Sequence, residues 1–244
     1  MPSKTVIITG ASSGIGLALA EAYLKRGDNV VGNARTMARL EEAAASLGNP
    51  SNFLLVDGDI GKPQTARRLF ERAVEAFGRV DVLVANAGIF MAKPITAYSV
   101  EDIDALIDTN VRGFVYPAQV AAEHMAANGS GHIIAVSACI AMQPNAKLPC
   151  AMTALVKGGL NHIVKALAIE LGPTGVQVNC VAPGIIDTPI FPPEADWDFL
   201  RTFAPNNKTG TMQDVVDAVQ YLTDSTYVTG SIMTVDGGST AGTW

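Results

Sequence analysis

The sequence predicts a three-layer, doubly wound α/β fold, in which a parallel sheet of about seven strands lies between two layers of helices. Short β-branched runs alternate with longer amphipathic stretches along almost all of the 244 residues. This alternation favours parallel strands joined by right-handed helical crossovers. The short runs are also continuously apolar rather than alternating, which indicates strands that are buried on both faces.

The strands are predicted where β-branched residues cluster between Gly, Pro, Asn or Asp. In chain order they are TVIIT (5–9), NVVGNA (29–34), NFLLVD (52–57), VDVLVAN (80–86), HIIAVS (132–137), VQVNCVA (176–182) and SIMTVD (231–236). Helical patterns fill the gaps between them, over residues 15–26, 36–47, 63–77, 100–127, 152–171 and 212–222. No repeat, low-complexity tract or linker interrupts this series, so we expect one domain over residues 1–244.

One segment, residues 188–209, breaks the rhythm of strands and helices. It contains four prolines and four large aromatic residues, Phe191, Trp197, Phe199 and Phe203. A loop of this length in a compact domain usually has a function, and loops at the carboxyl ends of parallel strands line ligand crevices. We therefore expect a substrate lid. The alternative is an irregular connection that packs its aromatic side chains on the core.

The composition argues against several classes of function. The net charge is −6 and the 17 Lys and Arg residues form no run, so the chain lacks the electrostatic footprint of a nucleic-acid-binding protein. No apolar run is long enough for a membrane span, and no secretory signal is visible. Neither the three cysteines nor the three histidines have the spacing of a metal site. These features predict a cytoplasmic protein without a bound metal.

The first strand is followed by a glycine-rich stretch, TGASSGIG, from Thr9 to Gly16. Glycine permits a tight turn and lets the backbone come close to a pyrophosphate. The N-terminus of the next helix then offers unpaired N–H groups to the anion. At the first strand–helix turn of an α/β chain, this pattern predicts a dinucleotide site.

Further motifs follow that turn in order. They are Asp59-Ile60, Asn86-Ala87-Gly88, Asn110 in DTNVRG, Lys157, Asn179, Pro183-Gly184, Thr188 and the final VTGSIMTVDGG. With these motifs the chain resembles the short-chain dehydrogenase/reductase family over nearly its whole length. The resemblance implies a Rossmann fold. It also implies hydride transfer between a nicotinamide cofactor, NAD or NADP, and a small carbonyl or alcohol, quinone or imine-type substrate.

The resemblance also implies which residues hold the cofactor. The pyrophosphate turn comprises Gly10, Ser12, Ser13, Gly14, Ile15 and Gly16. The adenosine half is expected beside Asp59, Ile60, Asn86, Ala87 and Gly88. The nicotinamide half is expected beside Lys157, Pro183, Gly184, Ile186 and Thr188.

The end of the second strand bears on the choice between the two nicotinamide cofactors. An acidic residue there accepts the ribose hydroxyls of NAD and repels the 2′-phosphate of NADP. This chain has Ala34 at that place and Arg35 next to it, with Arg39 one helical turn further on. A guanidinium binds a phosphate through two N–H groups. We therefore expect NADP rather than NAD; the alternative is that Arg35 is an ordinary surface arginine.

The resemblance is incomplete at the catalytic positions. The family uses a serine, a tyrosine acid and a lysine four residues after it, supported by an asparagine. Asn110 and Lys157 are present, but Thr153 stands at the tyrosine position. Ala138 stands at the serine position, with Ser137 one residue earlier. Strand alternation would turn Ser137 the other way unless a bulge intervenes. The candidate catalytic residues are Asn110, Ser137, Thr153 and Lys157.

The source of a proton is therefore open. An aliphatic alcohol such as Thr153 is a far weaker acid than a phenol. A buried Lys157 with a lowered pKa is one alternative donor, directly or through a water on Thr153. A tyrosine from elsewhere, Tyr98 or Tyr116, is another. Two functions follow from these alternatives: an oxidoreductase with an atypical active site, or a catalytically silent NADP-binding scaffold that acts as a sensor or partner subunit.

The helix over 152–171 bears on assembly, because apolar residues surround much of it. A helix that is apolar on more than one face needs cover on both. The resemblance implies that this helix packs against a second copy, which predicts a homodimer or homotetramer. Burial within one subunit is the alternative.

Overall fold

The computed structural model describes residues 3–242 and contains one parallel sheet of seven strands in the order β3-β2-β1-β4-β5-β6-β7. The strands are β1 Thr5–Thr9, β2 Asn29–Ala34, β3 Phe53–Asp57, β4 Val82–Ala85, β5 Gly131–Val136, β6 Val176–Pro183 and β7 Ile232–Val235. The predicted fold class is thereby confirmed. Of the domain predicted over residues 1–244, the first two and last two residues lie outside the described residues.

Helices connect the strands and cover both faces of the sheet. They are α1 Gly14–Lys25, α2 Met37–Ser46, α3 Pro63–Phe77, α4 Val100–Leu106, α5 Gly113–Ala127, α6 Ala151–Leu171, α7 Trp197–Arg201 and α8 Met212–Asp224. Apolar side chains form one buried cluster on each side of the sheet. Ile7 of β1 belongs to the cluster under α3, α5 and α6, whereas its neighbour Ile8 belongs to the cluster under α1 and α8. This alternation explains why the strands are apolar along their whole length.

The strand order reverses at β1, which lies between β2 and β4. In an open parallel sheet such a reversal leaves a crevice outside the carboxyl ends of the two neighbouring strands, where ligands bind. The glycine-rich stretch follows β1, and the Asn86–Gly88 turn follows β4. Both predicted cofactor segments therefore flank one crevice.

The single helix predicted over residues 100–127 is wrong in its middle. Residues Ile107–Arg112 form a wider π-helical segment between α4 and α5. Asn110 lies in this segment, and its Nδ2 donates to Leu106 O and to Ile89 O, both at 3.1 Å. The side-chain amide thus connects the helix to a separate loop, and wide turns of this kind frequently occur at functional sites.

Part of the predicted lid, residues 188–209, forms the short helix α7. Asp196 caps it by accepting from Phe199 N at 2.9 Å. The aromatic residues pair, with ring centroids 5.4 Å apart for Phe191 and Trp197 and 5.2 Å apart for Phe199 and Phe203. Phe203 is buried, so one end of the segment packs on the domain. The other end borders an open cleft of about 540 Å³. The residues that line this cleft include Thr188, Phe191, Trp197 and Met212.

Candidate active site

The glycine-rich turn adopts a backbone that only glycine accommodates well. Gly10 and Gly14 have positive φ angles of 70° and 55°, a region that side-chain-bearing residues rarely enter. Gly16 is required for a different reason: a Cβ on it would lie 2.1 Å from Gly10 O and 2.6 Å from Asn86 Nδ2. The backbone at Gly16 therefore packs directly against the backbone at Gly10. Helix α1, which begins at Gly14, starts at the crevice.

The N-terminus of α1 is suited to an anion. The helix begins at Gly14, and its first turn contains no acidic residue. Ser13 precedes it in an extended conformation, and none of the described side chains caps the helix there. Ser12, Ser13 and Ile15 are all partly exposed. Because the first N–H groups of a helix lack intrahelical partners and carry a partial positive charge, these residues fit a pyrophosphate.

The Asn86–Gly88 turn is bonded to the end of β1. Asn86 Nδ2 donates to Thr9 O at 3.0 Å, and Ala87 N donates to Thr9 Oγ1 at 2.9 Å. Gly88 is exposed at the crevice, and a Cβ there would lie 2.8 Å from both Asn110 Oδ1 and Lys157 Nζ. The predicted adenosine turn and two predicted catalytic residues thus meet at one point.

The other predicted adenosine contacts differ from one another in accessibility. Arg35 and Arg39 are exposed beside the end of β2. Asp59 is exposed, and its Oδ1 accepts from Gly61 N at 2.9 Å. The Ile60 side chain, however, is only 5% exposed and belongs to the apolar cluster under α3 and α5. A contact of Ile60 with an adenine would therefore have to involve mainly its backbone.

The loop after β6 crosses toward the glycine turn. Gly184 N donates to Val235 O at 2.9 Å, which continues the pairing that Pro183 makes with β7. Ile186 is buried and bridges Gly210. A Cβ on Gly14 would lie 3.7 Å from the Thr188 side chain, so Thr188 stands over the turn. This position is compatible with the predicted contact to the nicotinamide half.

Asn110 is buried, with 1% of its surface exposed. Besides donating to Ile89 O, its side chain accepts from Ile89 N at 3.2 Å through Oδ1. The amide therefore holds both backbone groups of Ile89, directly after the Asn86–Gly88 turn. This arrangement gives Asn110 a role in shaping the site rather than a free group for chemistry.

Lys157 is the buried cation of the site. Only 7% of its surface is exposed, and Nζ donates to Val136 O at 3.0 Å. Burial lowers the pKa of the ammonium to about 8, because the charged form loses its hydration. Nζ also lies beside exposed Gly88, as described above. An amine with this pKa exchanges protons readily near neutral pH.

Ser137 lies on the same side of the sheet as Lys157. Its Oγ is buried and donates to Lys157 O at 3.1 Å. The side chain thus bonds the end of β5 to the backbone of α6, and its proton is directed at a carbonyl. Ala138, which occupies the serine position of the resemblance, has extended backbone and no hydroxyl. The hydroxyl of Ser137 therefore connects β5 to α6 at the base of the site.

Thr153 is fully buried, with none of its surface exposed. Its Oγ1 donates to Met91 O at 2.9 Å and accepts from Met91 N at 3.2 Å. The hydroxyl is thus bonded to both backbone groups of one residue in the loop after β4. Although Thr153 lies one helical turn before Lys157, it does not present a free hydroxyl at the crevice.

Replacing Thr153 with tyrosine is expected to destabilise the protein by about 1–3 kcal/mol. The phenol ring of a tyrosine has no room at this fully buried position and must displace the Met91 backbone. Denaturant unfolding of Thr153→Tyr checks this, with Thr153→Ser, which keeps the hydroxyl, as the matched control. A Thr153→Tyr protein as stable as the wild type would show that the site already has space for a phenol.

The two alternative tyrosines lie in different places. Tyr98 OH donates to Met91 O at 2.8 Å, the same carbonyl that Thr153 bonds. Tyr116 instead lines a surface cleft with Pro63 and Arg67, between α3 and α5. Met91, which accepts hydrogen bonds from both Tyr98 and Thr153, was not predicted from the sequence. It contributes backbone atoms, and these leave no signature in the residue types.

Within residues 3–242, no helix is long and apolar enough to cross a membrane. Nor does the described part contain a group of three or more His, Cys, Asp or Glu residues placed to hold a metal ion. The three cysteines are free thiols.

Comparisons with known proteins agree with this geometry. A family model described as short chain dehydrogenase matches residues 4–198. Glucose 1-dehydrogenase of Gluconobacter oxydans is 34% identical, over 97% of this chain and 92% of the relative.

Two solved structures with bound cofactors are also similar. One is a 3-ketoacyl-(acyl-carrier-protein) reductase from Brucella melitensis complexed with NADH, with a TM-score of 0.91, 30% identity and coverage of 97% of this chain and 98% of that one. The other is a short chain dehydrogenase from Burkholderia cenocepacia in complex with NADP, with a TM-score of 0.89, 30% identity and 97% of each chain covered.

Proposed function

The chain belongs to the short-chain dehydrogenase family, and on that premise we propose that it is an NADP(H)-preferring oxidoreductase with an atypical active site. Its substrate is a small carbonyl or alcohol, a quinone or an imine-type compound. The observation that carries the proposal is the meeting of Gly88, Asn110 and Lys157 at the crevice, while Thr153 is sequestered behind Met91.

The residues of the crevice fit a nicotinamide dinucleotide. The glycine turn and the start of α1 offer N–H groups to the pyrophosphate, and the exposed backbone of Gly88 leaves space where a side chain would collide with Lys157. Lys157 and Thr188 lie where they can hold the nicotinamide half. A bound nicotinamide supplies or accepts the hydride; the protein has to orient it and provide the proton.

Arg35 and Arg39 support NADP as the preferred cofactor. Arg35 directly follows β2 and Arg39 lies in the first turn of α2, and both are exposed. Ala34, the last residue of β2, offers no carboxylate to repel a 2′-phosphate. A guanidinium forms charge-assisted hydrogen bonds with phosphate oxygens. Of the two similar structures described above, one is in complex with NADP and the other with NADH, so we base the preference of this chain on its own residues.

Lys157 is the proton donor that the geometry favours. Its ammonium is buried at the crevice with a pKa of about 8, whereas the hydroxyl protons of Ser137 and Thr153 are directed at backbone carbonyls. During reduction of a carbonyl or quinone, the acceptor gains a hydride and its oxygen gains a proton from Nζ, which is then replaced from solvent. An iminium gains the hydride alone and becomes an amine without a proton from Lys157. An alkylammonium is a modest acid, so the acceptor should be one whose reduced form is a stable anion or amine, such as a quinone or an iminium.

The proposed function is tested by mixing the purified protein with NADPH or NADH and a panel of ketones, quinones and iminium ions. We expect oxidation of NADPH with at least one class, faster than oxidation of NADH, and a preference for quinone or iminium acceptors. Binding of NADPH with no oxidation by any member of the panel would contradict the proposal and favour a silent scaffold.

The cofactor preference is tested by measuring the Kd for NADPH and for NADH in variants of the same protein. Arg35→Ala is expected to raise the Kd for NADPH about 10-fold, since a charged hydrogen bond contributes about 1.5–3 kcal/mol, and to leave the Kd for NADH unchanged. Arg72→Ala, which changes an exposed arginine of α3 that pairs with Glu75, is the matched control. Equal losses for both cofactors in Arg35→Ala would show that Arg35 does not contact the 2′-phosphate.

We further propose that the chain assembles as a homodimer or homotetramer through α6. Leu155 and Ile169 of this helix are 64% and 81% exposed, whereas Val156, Leu160 and Val164 are buried in the domain. The exposed pair supports a second covered face, because large apolar side chains gain stability when another surface excludes water from them.

A further inference from the structure

Two side chains from different elements bind the backbone of Met91. Tyr98 OH donates to Met91 O at 2.8 Å, and Thr153 Oγ1 donates to the same oxygen at 2.9 Å. Met91 N in turn donates to Thr153 Oγ1 at 3.2 Å. A carbonyl oxygen has two lone pairs, so both donors are accommodated. We call this set of Tyr98, Thr153 and the Met91 backbone the Met91 clamp.

The loop that contains the clamp is fixed at both sides of it. Asn110 bonds both backbone groups of Ile89, and Lys93 Nζ forms an ion pair with Asp102 Oδ2 at 2.6 Å. Residues 89–93 are therefore attached at their start, middle and end. Since the loop begins directly after Gly88, which adjoins Lys157, it forms a wall of the crevice beside the proposed proton donor.

Tyr98 is the tyrosine that reaches this place. Of the other four, Tyr23 is buried against Thr223 at 2.7 Å, and Tyr116 lies in the cleft between α3 and α5. The remaining two, Tyr221 and Tyr227, are exposed on α8 and after it. The Tyr98 proton is directed at a backbone carbonyl, which favours holding the loop over giving the proton to a substrate.

We propose that Tyr98 is a positioning residue of the acceptor site. Through the Met91 clamp it holds residues 89–93 against α6, so that this segment keeps the acceptor beside Lys157. The inference rests on the proposed function, because it concerns the acceptor in hydride transfer. Thr153 is the second side chain of the Met91 clamp. The clamp gives the Thr153 hydroxyl a use although this buried position has no access to substrate.

The test compares Tyr98→Phe and Thr153→Val, which remove the hydroxyls with little change of shape, with the wild type. Tyr98→Phe removes one hydrogen bond and is expected to lower kcat/KM for the acceptor about 3- to 10-fold, through KM more than kcat. Thr153→Val removes two and is expected to lower kcat/KM at least as much. The Kd for NADPH should stay within about twofold, since the glycine turn and α1 are untouched.

Matched variants separate positioning from general damage. Tyr221→Phe removes an exposed phenol outside the site and is expected to retain wild-type kinetics. The double variant Tyr98→Phe/Thr153→Val should lose less than the product of the single losses, because both bonds hold one carbonyl. Independently of turnover, amide hydrogen exchange of residues 89–93 should be faster in Tyr98→Phe than in the wild type.

Unchanged acceptor kinetics in Tyr98→Phe would overturn the proposal. So would a loss of kcat beyond about 100-fold together with a changed pH profile, since Tyr98 would then be the acid itself. A wild-type protein that turns over no acceptor would contradict the proposed function instead. In that case, faster exchange in Tyr98→Phe would support the clamp, and unchanged exchange would refute it.

Discussion

Replacing Lys157 with methionine is expected to lower the rate of NADPH-dependent reduction of a quinone at least about 100-fold, the usual contribution of a positioned acid or base. In the wild type, kcat/KM for the acceptor should fall as the pH rises through about 8, where the buried ammonium loses its proton. Lys157→Met should show no such fall, because methionine carries no proton. Steady-state rates across the pH range measure both effects.

The matched control is Lys165→Met, which changes an exposed lysine further along α6 and should leave rate and pH profile unchanged. Retention of the fall near pH 8 in Lys157→Met would assign that titration to another group. A Lys157→Met protein with full activity would remove Lys157 from the mechanism altogether.

Stability measurements on the same variant show whether any loss of activity comes from misfolding. The folded pKa of about 8 lies below the ordinary value of 10.5, so the unfolded chain binds more protons between these two pH values. The free energy of unfolding of the wild type should therefore rise with pH across that window. Lys157→Met should lose this rise and be at least as stable near neutral pH, since it no longer buries a charge.

Replacing Gly16 with alanine is expected to abolish cofactor binding, with a loss of affinity of more than about 100-fold, and to destabilise the fold by about 1–3 kcal/mol. The added Cβ would lie 2.1 Å from the Gly10 carbonyl oxygen, which is backbone and cannot rotate away. The turn must open, so the N–H groups at the start of α1 no longer converge on the pyrophosphate. Calorimetric titration with NADPH measures the loss.

Gly172→Ala is the matched control, because a Cβ there meets nothing within 4 Å and the backbone is already helical. It should bind NADPH as the wild type does. If Gly16→Ala also bound normally, the proposed pyrophosphate site would be wrong, because an opened turn cannot keep those N–H groups in place.

The fold was predictable from the sequence because its determinants are local or periodic. The strands at TVIIT and VQVNCVA are continuously apolar since each faces helices on both sides, and that burial is visible in residue type alone. The glycine turn was predictable for a similar reason. A backbone that needs a positive φ at Gly10 excludes other residues, so the requirement is written in the sequence.

The catalytic region was less predictable because its determinants are contacts between distant backbone groups. The sequence predicts a continuous helix around Asn110, whereas Asn110 lies in a π-helical segment and its amide bonds the Ile89 backbone. Thr153 is a candidate site residue only because it stands four residues before Lys157 in the sequence. Its complete burial and its two bonds to Met91 depend on where a loop lies, which residue types do not indicate. The catalytic roles of Asn110, Ser137, Thr153 and Lys157 remain predictions.

The strand order β3-β2-β1-β4-β5-β6-β7 has a consequence for the chain as it is synthesised. From β5 onward, each new strand pairs with the strand made before it, so the sheet grows outward at one edge in the order of translation. The two turns that flank the dinucleotide crevice are complete once Gly88 has been made, whereas Lys157 and Thr188 come much later. A nascent chain can thus form the proposed phosphate-binding half of its site while the half that contains the proposed proton donor is still being translated.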